Sequence, residues 1–221
     1  MLYFAFEAVD GVGKTTTMRN VAKILQDERI DFVCTKEPGG PRALAAEWSY
    51  DLVEYYGPAY EGFRDLCVNN PEIPSKAKRA LYLADSLMNW ELVVKPALVE
   101  GQIVLSDRSW VSDLAYGSVL ADLSLEALFA FNNSLVPARK NFTNVIYLHL
   151  PSYERERRLV SNVTNSMDSL GSETRDKICT QYNKISNHYF DESTWFAAST
   201  IPDEEAVARQ IASYILDTSD S

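Results

Sequence analysis

The sequence is short of positive charge. Its 221 residues carry 21 Lys and Arg against 31 Asp and Glu, a net charge of −10. A surface that acidic repels polymeric phosphate and anionic lipid head groups, which excludes a broad nucleic-acid-binding face. Cysteine is scarce too. Cys34, Cys67 and Cys179 are odd in number and far apart, with no C-x-x-C pair, so neither a zinc site nor a disulfide framework is indicated. Reduced thiols in a cytoplasmic protein are the expectation. No apolar run approaches the roughly 20 residues that span a bilayer, so no membrane partner is expected. The apolar opening has no basic flank and ends at Glu7, unlike a secretory signal. There is no internal repeat and no low-complexity tract.

The chain is 46% hydrophobic and 24% charged, the balance of an ordinary globular protein. Its length suits one domain, or one domain with an embedded lobe. Short apolar runs at 2–6, 31–35, 102–107, 144–150 and 194–200 read as strands buried on both faces. Helical periodicity marks 14–28, 76–100 (interrupted near Pro96), 152–163, 174–190 and 203–216. Alternating strands and helices predict an α/β protein with a parallel sheet covered on both faces. Residues 57–75, richer in Pro, Gly and Asn, read as an inserted loop. The polar stretch 162–173 reads as a surface loop or a mobile lid.

The first strand runs into Ala8-Val9-Asp10-Gly11-Val12-Gly13-Lys14-Thr15, and a helix follows. The phosphate-loop pattern G-x-x-x-x-G-K-[ST] is met except for Ala8 at its first place. Gly11 and Gly13 let successive backbone N–H groups turn inward on one phosphate. Lys14 supplies a point charge, Thr15 a hydroxyl for Mg²⁺, and the helix its positive end. Nucleoside triphosphate binding is the expectation. A GTPase would need N-K-x-D, and Asn183-Lys184-Ile185-Ser186 lacks the Asp. No further motor signature is present, which leaves a kinase of small acceptors. Thr35-Lys36-Glu37-Pro38-Gly39-Gly40 follows the second strand, and Asp107-Arg108 ends the third. A carboxylate at that sheet edge can hold Mg²⁺ or its waters, and an adjacent arginine can bridge phosphates.

These motifs, in order and spacing, resemble the thymidylate kinase family across nearly the whole chain. Residues 6–16 are similar to F-E-G-x-D-G-x-G-K-T-T and residues 35–40 to T-R-E-P-G-G. Residues 80–98 resemble the family's long helix, and Asp107-Arg108 with Ser112 and Ala115-Tyr116-Gly117 looks like D-R-Y-x-x-S-x-x-A-Y-x-G. The resemblance implies a single three-layer α/β/α P-loop kinase domain over 1–221. It would have a five-stranded parallel sheet, a helical lid at about 158–175 and an inserted loop at about 57–75. It implies transfer of the ATP γ-phosphate to a deoxynucleoside 5′-monophosphate with Mg²⁺, in a homodimer. Gly11, Val12, Gly13, Lys14, Thr15, Thr16 and Thr200 would hold ATP, and Thr15 and Asp107 the metal. Asp10 would meet the acceptor's 3′-hydroxyl, Arg108 its phosphate, and Tyr116 its deoxyribose. Tyr82 would stack on the base, or would equally be a core aromatic. Lys36, Glu37, Arg42, Ser86, Ser112 and Asp113 complete the acceptor side. Among Arg155, Arg157 and Arg158, Arg158 aligns best as the lid cation, with Arg175 in reserve.

Departures cluster on the acceptor side. Ser86 stands where the family has an arginine that reaches the base, Lys36 replaces another, and a third is missing after Gly40. Asp113 stands where many members place Asn, Thr or a small residue. A carboxylate accepts from N–H, and Ser86 leaves room, so dTMP or a 5-substituted dUMP is the expected acceptor. A deoxynucleoside kinase is the runner-up. A kinase of bases within DNA is disfavoured by the charge, and a non-catalytic nucleotide-binding protein by the intact Lys14, Thr15, Asp107 and Arg108.

Overall fold

The computed structural model describes residues 2–45, 48, 70, 72–137, 139–160, 170–201 and 203–219, without the side chains of Arg42 and Val160. Five strands, β1 (Tyr3–Glu7), β2 (Phe32–Lys36), β3 (Ile103–Asp107), β4 (Thr143–His149) and β5 (Trp195–Ser199), form one sheet. Every pairing is parallel, in the order β2-β3-β1-β4-β5. Each strand lies within a residue of where its apolar run places it.

The connections are α1 (Lys14–Asp27), α2 (Gly40–Ala45), α3 (Ser75–Asn89), α4 (Lys95–Val99), α5 (Trp110–Leu120), α6 (Leu125–Leu135), α7 (Arg139–Phe142), α8 (Ser152–Val160), α9 (Ser172–Tyr189) and α10 (Glu204–Ser219). The short helices α2 and α7, and the longer α5 and α6, lie outside the stretches that helical periodicity marks. In α5 and α6 the apolar residues run round the helix rather than down one stripe. Ser109 and Ser124 cap the two, accepting from the amides of Val111 and Ala127.

The long helix is interrupted earlier than Pro96. A π-helical turn, Trp90–Val94, joins α3 to α4, with the Lys95 amide donating to the Trp90 carbonyl five residues back. Pro96 has no amide hydrogen to continue an α-helical ladder, and the wider turn takes up the mismatch ahead of it. Ser75, expected at the end of the inserted loop, is the first residue of α3. Most of that loop and the middle of the lid stretch lie outside the described residues.

The faces of the sheet are chemically distinct. Phe4, Cys34 and Leu105 pack with Met18, Val21, Leu25, Ile211 and Ile215 under α1 and α10. Tyr3, Val33 and Val104 meet Trp90, Val93, Val94 and Ala97 on the other face. That second face also carries Thr35 and Glu7, hydrogen-bonded to α3, α5 and α9. β1 is buried throughout and lies mid-sheet. The chain therefore changes direction beside its carboxyl end, where α/β sheets open a crevice. Among the described residues no helix is long and apolar enough to cross a membrane.

Candidate active site

The loop between β1 and α1 curls through left-handed backbone at Gly11 (φ +84°) and Gly13 (φ +93°). A Cβ on Gly11 would stand 2.6 Å from Leu159 Cγ, so the helix α8 sits directly on the loop. Among the described residues no side chain caps the N-terminus of α1. Its first amides are left for an anion, which the helix dipole favours.

Asp107 ends β3 level with Phe6 and Lys36. It is fully buried, ion-paired with Lys14, and 3.5 Å from Lys36 Nζ. Thr15 Oγ1 donates to Asp107 Oδ2 at 3.1 Å. Burial, followed by the Arg108 and Lys36 charges, pulls the Lys14 ammonium well below its ordinary pKa. Crowding cations at a buried point is unfavourable until a polyanion arrives between them. Thr15 and Asp107 are hard oxygen donors of the kind Mg²⁺ takes. Among the described residues no cluster of three His, Cys, Asp or Glu gathers anywhere.

On the other side of the loop, Arg108 follows β3 in left-handed backbone (φ +73°), a costly conformation for an arginine. Its guanidinium donates to the Ala8 carbonyl (2.8 Å), Ser112 Oγ (3.1 Å) and Asp10 Oδ1 (2.5 Å). It also lies 5.0 Å from the centre of the Tyr116 ring, whose hydroxyl reaches Asp10 Oδ2 at 3.3 Å. Glu7, fully buried, accepts from Ser109, Ser112 and Tyr182. Burial raises its carboxyl, opposed by those hydroxyls and by Arg108. Glu7 and Tyr182 are the support behind Arg108.

The lid helix also reaches the Val12 carbonyl of the loop. Arg158 Nη1 lies 3.4 Å from the Val12 carbonyl, and Thr200 Oγ1 donates to the same oxygen at 2.7 Å. Glu154 holds Arg158 and Arg157. The other arginines are scaffolding. Arg155 is buried against Asp176 and Glu156, and Arg175 pairs with Glu156 and the Leu170 carbonyl. Of this cluster only Arg157 is a solvated helix residue. Thr16 lies in the first turn of α1 and is half-buried.

The acceptor side is less open than its sequence suggests. Ser86 does not leave room, because Arg139 fills it, donating to Ser86 Oγ at 2.8 Å and to Glu37 Oε1 at 2.9 Å. Glu37 also accepts from Asn89 Nδ2 (3.0 Å) and is buried, which makes it part of a network beneath α3. Asp113 is bound by Arg79 Nη1 at 3.2 Å and by Asn132 Nδ2 at 3.4 Å. Burial raises its carboxyl and Arg79 holds it down. Tyr82 is half-buried with the Arg79 guanidinium 4.3 Å from its ring centre. Arg42 lies in α2 with its side chain outside the described residues. Two buried arginines, Arg79 and Arg139, lie on this side, and the motif reading identifies neither.

A parallel sheet with this strand order, a phosphate loop at its centre and Asp107-Arg108 beside it defines a P-loop kinase. No protein-family model matches the chain. Curated relatives do. A thymidylate kinase of Ligilactobacillus salivarius is 30% identical over 85% of this chain and 81% of its own length. One of Wolinella succinogenes is 29% identical over 97% and 99%. The crystal structure of a thymidylate kinase from Ehrlichia chaffeensis superposes with a TM-score of 0.67 at 19% identity, covering 97% of this chain and 98% of that one. The chain belongs to the thymidylate kinase family.

Proposed function

We propose that the protein transfers the γ-phosphate of ATP to the 5′-phosphate of dTMP, or of a 5-substituted dUMP, giving ADP and the nucleoside diphosphate. The supporting observation is the pairing of two half-sites across the loop. Lys14, Thr15 and Asp107 are linked on one side, and Arg108 and Tyr116 both meet Asp10 on the other. The bond from the γ-phosphorus to its bridging oxygen breaks as one forms to an acceptor phosphate oxygen. The protein's part is positioning and charge neutralisation.

In this reading the uncapped amides of α1 and the loop residues 11–16 hold the donor phosphates. Lys14 moves from Asp107 to the outer phosphates, and Arg158 approaches from the lid. Thr200 lies on the adenine side. Arg108 exchanges Asp10 for the acceptor phosphate, and Asp10 takes the 3′-hydroxyl. Tyr116 packs against the deoxyribose and Tyr82 against the base. Lys36, Ser112 and Arg42 belong to the acceptor wall. Thr15 and Asp107 hold Mg²⁺, which when bound neutralises charge on the donor phosphates. The whole chain acts as a single domain, in a cytoplasmic homodimer. The charge of −10 is compatible with a small polyanion entering a locally positive cleft.

The test is ADP release from ATP and Mg²⁺ with dTMP, dUMP, 5-hydroxymethyl-dUMP, dCMP, dGMP and thymidine in turn. Turnover with dTMP or a 5-substituted dUMP supports the reading. Turnover with thymidine alone would make the protein a deoxynucleoside kinase, and turnover with none a nucleotide-binding protein.

A further inference from the structure

Arg79 is a buried cation in the acceptor half of the site to which no motif gives a role. It projects between α3, α5 and α6. Nη1 reaches Asp113, the guanidinium lies on Tyr82, and Cδ packs where a Cβ on Gly117 would come within 3.1 Å. Arg79 is only 8% exposed, yet its Nε has no hydrogen-bond partner among the described residues. The same holds for Oδ1 of Asn132, whose amide nitrogen reaches Asp113 from the other side. Buried polar atoms are nearly always satisfied. One donor and one acceptor left over around a single ion pair mark a place where a polar ligand completes the set. Arg79 is also seven residues from Ser86, two turns along the same face of α3.

Resting on the proposed kinase reading, we propose that Arg79 and Asp113 together determine which pyrimidine the acceptor carries, with Tyr82 as the stacking surface. A guanidinium only donates and an ionised carboxylate only accepts. Side by side they match a ring carbonyl next to a ring N–H, the edge shared by thymine and uracil. Cytosine presents an amine next to an unprotonated ring nitrogen, so donor would face donor and acceptor would face acceptor. A site built to hydrogen-bond one such edge rejects the other, because like groups then face each other and Arg79 Nε stays unpaired. Arg139 Nε is likewise without a partner among the described residues, but the rest of its guanidinium is taken up. Its two terminal nitrogens are engaged by Ser86 and Glu37, and Trp90 covers its face.

The experiment measures kcat and KM for dTMP and dCMP, and KM for ATP, in wild type, Arg79→Met and Asp113→Asn. In Arg79→Met, kcat/KM for dTMP should fall about 10- to 100-fold, mainly through KM, as for loss of a charged hydrogen bond. KM for ATP should stay put and the preference for dTMP over dCMP should shrink. Asp113→Asn, which adds a donor, should raise dCMP relative to dTMP. If Arg79→Met does not fold, Arg79→Lys keeps stem and charge but loses the fork, and its preference should shrink as well. An unchanged dTMP-to-dCMP ratio in the folded Arg79 variant overturns the inference and leaves the kinase reading standing. A wild-type protein that phosphorylates neither nucleotide overturns the kinase reading itself.

Discussion

Removing Arg139 would unpair the ionic network beneath α3. Its guanidinium serves Glu37 at 2.9 Å and Ser86 at 2.8 Å and lies 5.2 Å from the centre of the Trp90 ring. Arg139 and Glu37 are 5% and 6% exposed, so neither charge has useful access to water. Taking one partner from a buried pair costs about 3–5 kcal/mol, because the other keeps its charge in a low dielectric. In a chain of this size each kcal/mol moves the melting temperature by roughly 2–4 °C. Arg139→Met should therefore melt roughly 6–20 °C below wild type. Asn89, left alone on Glu37, cannot neutralise a carboxylate. Arg139→Met with Glu37→Gln removes both charges at similar volume and should recover most of the loss. Thermal melts by circular dichroism on wild type, both singles and the double complete a mutant cycle, in which the double should lose clearly less than the two singles together. Additive losses, or a double variant no more stable than Arg139→Met, would refute the reasoning.

Three further outcomes follow from the site. Asp10→Ala should lower kcat more than it raises KM for ATP, since Asp10 holds Arg108 and Tyr116 rather than the donor loop; wild-type turnover would remove Asp10 from the mechanism. Gly11→Ala places a side chain at φ +84° and drives Leu159 off the loop. It should cost about 1–2 kcal/mol from backbone strain alone and weaken binding of a non-hydrolysable ATP analogue by calorimetry; unchanged affinity would contradict the packing. Glu7 gives a pH dependence. Burial raises its carboxyl in the folded state, so above the ordinary carboxylate range the fold holds a proton the unfolded chain has lost. Its contribution makes stability fall as pH rises from that range to the raised value. Melting temperature against pH should diverge between wild type and Glu7→Gln across that window, and parallel curves would sink the assignment.

The strands, the phosphate loop and the Asp107-Arg108 pair are legible because each is a contiguous run whose chemistry is local. Arg79 and Arg139 are not. Their partners lie 34 and 53 residues away, at Asp113 and Ser86, and nothing beside them in the sequence announces the contact. For Arg79 a signal does exist. It shares the buried stripe of α3 with Leu83 and Ser86, and a guanidinium on a core-facing stripe must find a carboxylate. Arg139 stands in a four-residue helix, too short for periodicity to show. The π turn is hidden for a related reason. Pro96 announces a disturbance in the ladder, but where the helix absorbs it depends on Trp90 and Val94 packing under the sheet.

The order β2-β3-β1-β4-β5 divides the chain as well as the sheet. Lys36, Ser86 and Asp113, the departures from the family pattern, all lie before β4, in β2, α3 and α5. Arg158 and Thr200 come after it. The departures and the lid-side residues therefore lie in separate stretches of the gene. Exchanging residues 32–120 with those of a relative would carry the departures and Asp107 together, and leave behind Asp10 and the partners of Ser86 and Asp113, Arg139 and Asn132.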